Sequence, residues 1–244
     1  MPSQTLILVP GLACDAEVWA AQAAALADLA AIRIADHRAL DSLGAMAEAI
    51  IEAAPPRFAI AGHSMGGRVA LEVVRRAAQR IDGVALLDTG ARPMPAGEAG
   101  QRERTEREAL VALARREGMG AVARRWLQIP MVYLERLTDR TLIERIVAMF
   151  ERKSPQVFAA QVRALIDRPD AMPLLPGIAS PTLVLCGADD AWSKVAAHQE
   201  MAAAIPRSTL VTVALCGHMA TMERPVEVNG ALRSWLERLG AGRA

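Results

Sequence analysis

The chain has 244 residues, 52% of them hydrophobic and 23% charged, with a formal net charge of +1. That is the composition of one soluble α/β domain large enough for a sizeable core and a small inserted segment, and its near-neutral charge speaks against a nucleic-acid or membrane-surface partner. Three cysteines, an odd number, argue against a disulfide framework and for a reducing cytoplasm.

Residues 1–5 carry no basic stretch ahead of an apolar one, so no signal peptide is expected, and no apolar run approaches the length of a membrane span. Short apolar runs then alternate with helix-period patterns. The pattern predicts a strand over Thr5–Val9, an Ala-rich helix over Asp15–Leu29 and a strand over Ala31–Ala35. A helix over Ser42–Ala54, a strand over Arg57–Ala61, a helix over Met65–Gln79 and a strand over Gly83–Leu87 follow. Continuous apolar strands separated by helices imply a parallel sheet covered on both faces. Active sites of such sheets lie at the carboxyl ends of the strands.

The next stretch, 91–176, opens on Pro93-Met94-Pro95-Ala96-Gly97 and closes on Pro169, Pro173 and Pro176. It holds helix-period patterns and no convincing strand. Because it starts just beyond a strand's carboxyl end, it is expected to form a helical cap, with 1–90 and 177–244 as the core. The Arg-rich part, Gln101 to Arg125, alternates with Glu and apolar residues as a solvated amphipathic helix does. Strands over Thr182–Cys186 and Thr209–Leu215 and helices over Lys194–Ala204 and Pro225–Arg238 complete the chain.

The most informative segment is Gly62-His63-Ser64-Met65-Gly66, entered by an apolar strand and left by a helix. A sharp strand-to-helix turn of this kind pushes a serine hydroxyl out above a sheet, and the helix start aims free N–H groups at negative charge formed beside it. Serine is a weak nucleophile and needs a base and a site for an oxyanion. Of four histidines, His63 sits inside the turn, where the backbone directs its ring away from Ser64. His198 lies in a helix pattern as a surface or packing residue, and His37 follows a strand at a pocket rim. His218, on the loop after the last strand, reaches the edge where Ser64 emerges and is the candidate general base. Its acid partner can come from Asp189 or Asp190, which end the preceding strand, or from Asp88, which ends an earlier one.

Val9-Pro10-Gly11-Leu12, Gly-His-Ser-Met-Gly-Gly at 62–67, Leu-Cys-Gly-Ala-Asp-Asp at 185–190 and Cys-Gly-His-Met at 216–219 together resemble the α/β-hydrolase superfamily over essentially the whole chain. The order nucleophile, acid, histidine is that family's order. The resemblance implies Asp190 as the acid, as the third residue after the glycine closing its strand. It also implies an oxyanion hole from the backbone N–H groups of Leu12 and Met65. Three departures stand out: Pro10-Gly11 replaces the frequent His-Gly, Lys194 stands where a proline is common, and no antiparallel hairpin precedes the first strand. A doubly wound, mostly parallel sheet of about six strands is therefore expected.

Ser64 cannot replace the carboxylate that dehalogenase relatives need, so acyl transfer is the expected chemistry: hydrolysis of a small ester through an acyl-enzyme. Thioesters, lactones, carbon–carbon bond cleavage and cofactor-free perhydrolysis use the same three residues, and a non-catalytic binding protein would not require them all. The pocket is expected from Trp126, Met131, Tyr133 and Trp192, within the apolar patch Trp126, Leu127, Ile129, Met131, Val132, Tyr133. These favour an apolar or weakly polar acyl group. No arginine stands out as a clamp for a substrate carboxylate, although Arg68 and Arg92 fall near the right edge. Cys14, Cys186 and Cys216 are expected as small buried residues. No Cys-x-x-Cys, His-Glu-x-x-His or phosphate-binding glycine loop is present, so neither metal nor cofactor is expected, and the protein is read as a monomer or homodimer.

Overall fold

The computed structural model describes residues 4–129 and 131–241. The segment over which no signal peptide is expected, residues 1–5, and the outer limits of the expected core fall partly on residues outside that range. Six strands form one parallel sheet in the order β2-β1-β3-β4-β5-β6, with β1 Thr5–Val9, β2 Ala31–Ile34, β3 Phe58–His63, β4 Ile81–Leu87, β5 Thr182–Gly187 and β6 Ser208–Val213. Every residue of β3, β4 and β5 is buried, whereas the edge strand β2 alternates exposed and half-buried. Burial on both faces is why the central strands read as unbroken apolar runs.

Helices cover both faces. On the amino-terminal side of the chain these are α1 Ala20–Ala25, α2 Leu43–Ala53 and α3 Met65–Ala77. Next come α4 Gly97–Glu117, α5 Met119–Leu127, α6 Arg140–Glu151 and α7 Pro155–Ile166, all between β4 and β5. The last are α8 Val195–Ala204, α9 Ala220–Glu223 and α10 Pro225–Ala241. Helix α3 packs on β1, β3 and β4 and against α2, while α10 lies on β4, β5 and β6 and against α1. Ser42, Asp139 and Ser154 cap α2, α6 and α7, each side chain accepting a first-turn N–H, and Pro155 occupies a position whose N–H would have no partner.

The predicted helix over 15–29 is shorter. A 3₁₀ turn at Ala16–Trp19 leads into α1, and the chain then turns back, the Ala30 N–H bonding the Leu26 carbonyl, to enter β2 at once. The Arg-rich stretch is two helices rather than one, broken at Gly118, whose φ of +84° is left-handed. Among the helices between β4 and β5, α4 packs on α5 and α7, and α5 on α6. Gln161 of α7 reaches the loop after β1, and the Met131 carbonyl reaches the loop after β6.

Candidate active site

Strand β3 runs through His63, still paired with Leu87, and the chain then reverses sharply into α3. Ser64, at the corner, has φ +55° and ψ −119°, a strained conformation for a non-glycine residue. The turn needs glycine on both sides. A Cβ on Gly62 would lie 2.2 Å from the Gly66 carbonyl oxygen, and one on Gly66 would lie 2.1 Å from the Val9 carbonyl oxygen. Met65, as the first residue of α3, has an N–H with no carbonyl four residues back to bond. Leu12 follows β1 and borders the same cavity as Ser64.

His218 stands on the loop after β6. Its Nε2 is 2.8 Å from Ser64 Oγ, and its Nδ1 is 2.8 Å from Asp190 Oδ2. A carboxylate can only accept, so Nδ1 carries the proton of the neutral ring and Nε2 is left to accept from the serine hydroxyl. The other oxygen of Asp190 accepts the N–H groups of Trp192 and Ser193, both at 2.8 Å. Burial pushes the Asp190 carboxyl up, but His218 and these bonds outweigh it and hold the group below its ordinary value. Of the three acid candidates only Asp190 touches His218: Asp189 is exposed. Asp88 is fully buried and accepts the N–H groups of Gly187 and Ala220 at 3.0 and 3.2 Å. Burial, then the charge of Asp190, keep the Asp88 carboxyl well above the usual carboxylate range.

The remaining histidines are neutral, buried supports. His63 donates through Nε2–H to the carbonyl of His218 at 2.8 Å, so its ring braces the histidine loop and makes no bond to the serine. Burial, then the nearby His218, bring it down to about 4. His37, expected at a pocket rim, is buried under the loop after β1, where its Nε2–H donates to Pro10 O at 3.1 Å. Burial lowers it too to about 4. His198, on α8, accepts the Thr89 N–H at 2.9 Å. The loop carrying Leu12 gains further support from Gln161 Oε1, which accepts the Ala13 N–H at 2.9 Å. His37 and Gln161 thus stand in for the side-chain support that Pro10 lacks.

A residue the sequence did not single out, Glu223, is completely buried beneath the His218 loop. Its carboxylate accepts the N–H groups of Gly217, Met219 and Tyr133 at 3.1, 3.0 and 2.7 Å. Burial raises it above its ordinary value, and those bonds oppose the rise. The three cysteines are buried thiols, with burial raising Cys14 and Cys186 to about 12 and Cys216 further still.

A cavity of about 60 Å³ opens beside Ser64 and His218. Leu12, Trp126, Met131 and Trp192 line it, joined by Phe150 and Leu165 from α6 and α7 and by Arg107 from α4. Trp126 forms the hub of its aromatic wall, with ring centroids 5.1 Å from Phe150 and 5.1 Å from Trp192. Trp192 in turn lies 5.1 Å from the His218 ring. Tyr133, expected in the same lining, is not among these residues: it is half-buried, and its N–H donates to Glu223. Ile129 is 37% exposed. Arg92 is spent on an exposed pair with Glu200, while Arg107, on the stretch expected to be a solvated face, borders the cavity. Among the described residues no cluster of three metal-ligating side chains occurs, and no helix is long and apolar enough to cross a membrane.

Known proteins of similar sequence and structure agree with this architecture. The chain is 25% identical to a putative carbamate hydrolase, RutD, of a Caulobacter species over 96% of its length and 90% of the relative's. It is 26% identical to the pimeloyl-[acyl-carrier protein] methyl ester esterase of Nitrosomonas europaea, over 77% of this chain and 74% of that one. A thermophilic esterase from Thermogutta terrifontis, solved with malate bound, superposes with a TM-score of 0.86 at 29% identity, over 98% of this chain and 91% of that one. The model of the alpha/beta hydrolase family matches residues 6–231. The chain belongs to the alpha/beta hydrolase family and is an enzyme with hydrolase activity.

Proposed function

We propose that the protein is a serine hydrolase that cleaves carboxylic esters of small, mainly apolar substrates through an acyl-enzyme, with Ser64, His218 and Asp190 as its catalytic residues. The observation that carries this is the unbroken line Ser64 Oγ, His218 Nε2, His218 Nδ1, Asp190 Oδ2, with 2.8 Å at each hydrogen bond, ending in a hydroxyl that faces a cavity. Ser64 Oγ attacks the ester carbonyl carbon while its proton passes to His218 Nε2. The oxygen that becomes negative is held by the N–H groups of Leu12 and Met65, which act through the backbone. As the ester C–O bond breaks, His218 returns the proton to the departing alcohol. Water, deprotonated by the same nitrogen, then attacks the acyl carbon, and collapse frees the acid and restores Ser64. Asp190 keeps Nδ1–H in place and offsets the positive charge that His218 carries between transfers.

The size of the acyl group follows from the cavity. At about 60 Å³ it is far smaller than the roughly 300–1,000 Å³ of sites for drug-sized ligands, so short acyl chains fit. Residues 91–176 serve in this proposal as the cap that closes over them. The esterase activities named for two similar proteins support an ester as the bond cleaved. The test is turnover of p-nitrophenyl acetate, butyrate and octanoate by wild type and Ser64→Ala. Wild type should favour the shorter esters, and the variant should lose roughly a thousandfold or more in kcat. Absence of turnover together with no labelling of Ser64 by a fluorophosphonate would refute the proposal.

A further inference from the structure

The cavity lining includes one arginine among its apolar and aromatic residues. Arg107 on α4 borders the cavity, and its guanidinium is held by Glu103, one turn earlier on the same helix: Nε and Nη2 both bond to Oε1, at 2.9 and 2.8 Å. That oxygen is shared. Arg168, just past α7 and only 8% exposed, grips the same carboxylate with both ends of its fork, Nη1 to Oε1 at 2.7 Å and Nη2 to Oε2 at 2.8 Å. The third cation, Arg68 on α3, spends Nη1 on the Arg92 carbonyl at 2.8 Å. Glu103 therefore bonds both Arg107 and Arg168 and is engaged on both oxygens by Arg168, while Glu106 reaches Arg107 through its charge alone and Arg68 bonds neither carboxylate.

The cations act on one another. Burial, then Arg168 and Arg107, draw Arg68 down to about 9, and Glu103 opposes them without cancelling them. Burial also lowers Arg107, with Glu103 against it and Arg168 adding to the fall. Burial would raise Glu103, but Arg168 and Arg107 bring it to about 2. Arg168 is buried and Arg68 and Arg107 are partly exposed, and positive charge gathered at a partly dry site is eased when an anion joins it. The guanidinium of Arg107 is bonded through Nε and Nη2, which leaves its Nη1 edge for a ligand, and Arg107 is the member of the cluster on the cavity wall.

We propose that Arg107 forms an anion subsite in the Ser64 cavity and selects substrates whose short acyl chain ends in a carboxylate, that is, monoesters of dicarboxylic acids. The aliphatic part of the chain lies along Trp126, Phe150 and Leu165, and the far carboxylate completes the arginine cluster. The inference rests on the ester hydrolase function proposed above and narrows its substrate from apolar to apolar with one anionic end.

The experiment compares monomethyl and dimethyl esters of succinate, glutarate and adipate, pairs that differ by one negative charge. The ratio of kcat/KM for monoester over diester is measured for wild type, Arg107→Gln and Arg107→Lys, alongside p-nitrophenyl butyrate and Ser64→Ala. Wild type should prefer one or more of the monoesters by at least tenfold. Arg107→Gln should lower that ratio tenfold or more, and Arg107→Lys, which keeps the charge, should retain most of it. A wild-type ratio of one or less for all three acids overturns the proposal, even if Arg107→Gln does not fold. So does a ratio that Arg107→Gln leaves unmoved. These outcomes are distinct from failure of the hydrolase function itself, which would appear as no Ser64-dependent turnover of the dimethyl or p-nitrophenyl esters.

Discussion

Replacing Glu223 is the most demanding test of how the histidine loop is held. Its buried carboxylate is the acceptor for the N–H groups of Gly217, Met219 and Tyr133. Glu223→Ala removes the acceptor and strands all of them. At about 1–3 kcal/mol for each buried donor left unsatisfied, partly relieved by water entering the space vacated, the loss is about 3–6 kcal/mol. A domain of this size has roughly 5–15 kcal/mol in total, so the variant should melt about 6–24 °C below wild type and unfold at much lower urea. Glu223→Gln keeps one oxygen but turns an N–H donor toward the remaining backbone donors, and should cost about 1–3 kcal/mol. Urea unfolding followed by tryptophan fluorescence gives both values, and ester turnover of the folded fraction should fall with them as His218 loses its register. A Glu223→Ala variant within about 1 kcal/mol of wild type, or one costing less than Glu223→Gln, would refute this account of the loop.

Two further outcomes separate neighbouring groups. Asp190→Asn puts an amide against His218 Nδ1 and should cut kcat by roughly a thousandfold or more, whereas Asp88→Asn, whose side chain does not reach His218, should cost less than tenfold; the reverse order would move the acid to Asp88. His37 and His63, both brought to about 4 by burial, favour folding while neutral. Their contribution is complete above the unfolded value near 6.5 and is lost as pH falls toward 4, at about 2 kcal/mol per histidine between pH 7 and pH 5. Urea unfolding at those two pH values should show the loss, and His37→Gln should make the dependence shallower; an unchanged slope would rule His37 out as a source.

The parts of the fold legible in the sequence are those governed by local pattern. The buried strands β3, β4 and β5 read as continuous apolar runs, and the glycines around Ser64 mark a turn that other residues cannot make. His218 was legible because its loop follows a strand and so arrives at the same sheet edge. Choosing Asp190 over Asp189 and Asp88 took family resemblance, since three carboxylates at one edge look alike until their directions are known. What the pattern hid are charges whose burial depends on distant packing. Arg107 and Glu103 read like any solvated pair on an Arg- and Glu-rich helix, and only the placement of α4 against α7 puts one of them on the cavity. Glu223 likewise looks like a surface residue ahead of Pro225. Tyr133 sits in a short connection with no periodic pattern, so which residues it meets is set by packing that the sequence does not display.

The connection between α5 and α6 is stitched to the loop after β6 from both directions, His218 donating its N–H to the Met131 carbonyl and Tyr133 donating to Glu223. This bears on how such enzymes diversify. Swapping the helices between β4 and β5 for those of another family member would exchange more than the cavity lining, because the graft must bring a carbonyl and an N–H to the same two places or leave the histidine loop unmoored. Substitutions that keep the backbone path through 131–133 and vary the side chains of α4 to α7, Gln161 aside, meet no such constraint. New substrate preferences should therefore arise more readily by side-chain replacement in the existing helices than by recombination of the whole segment.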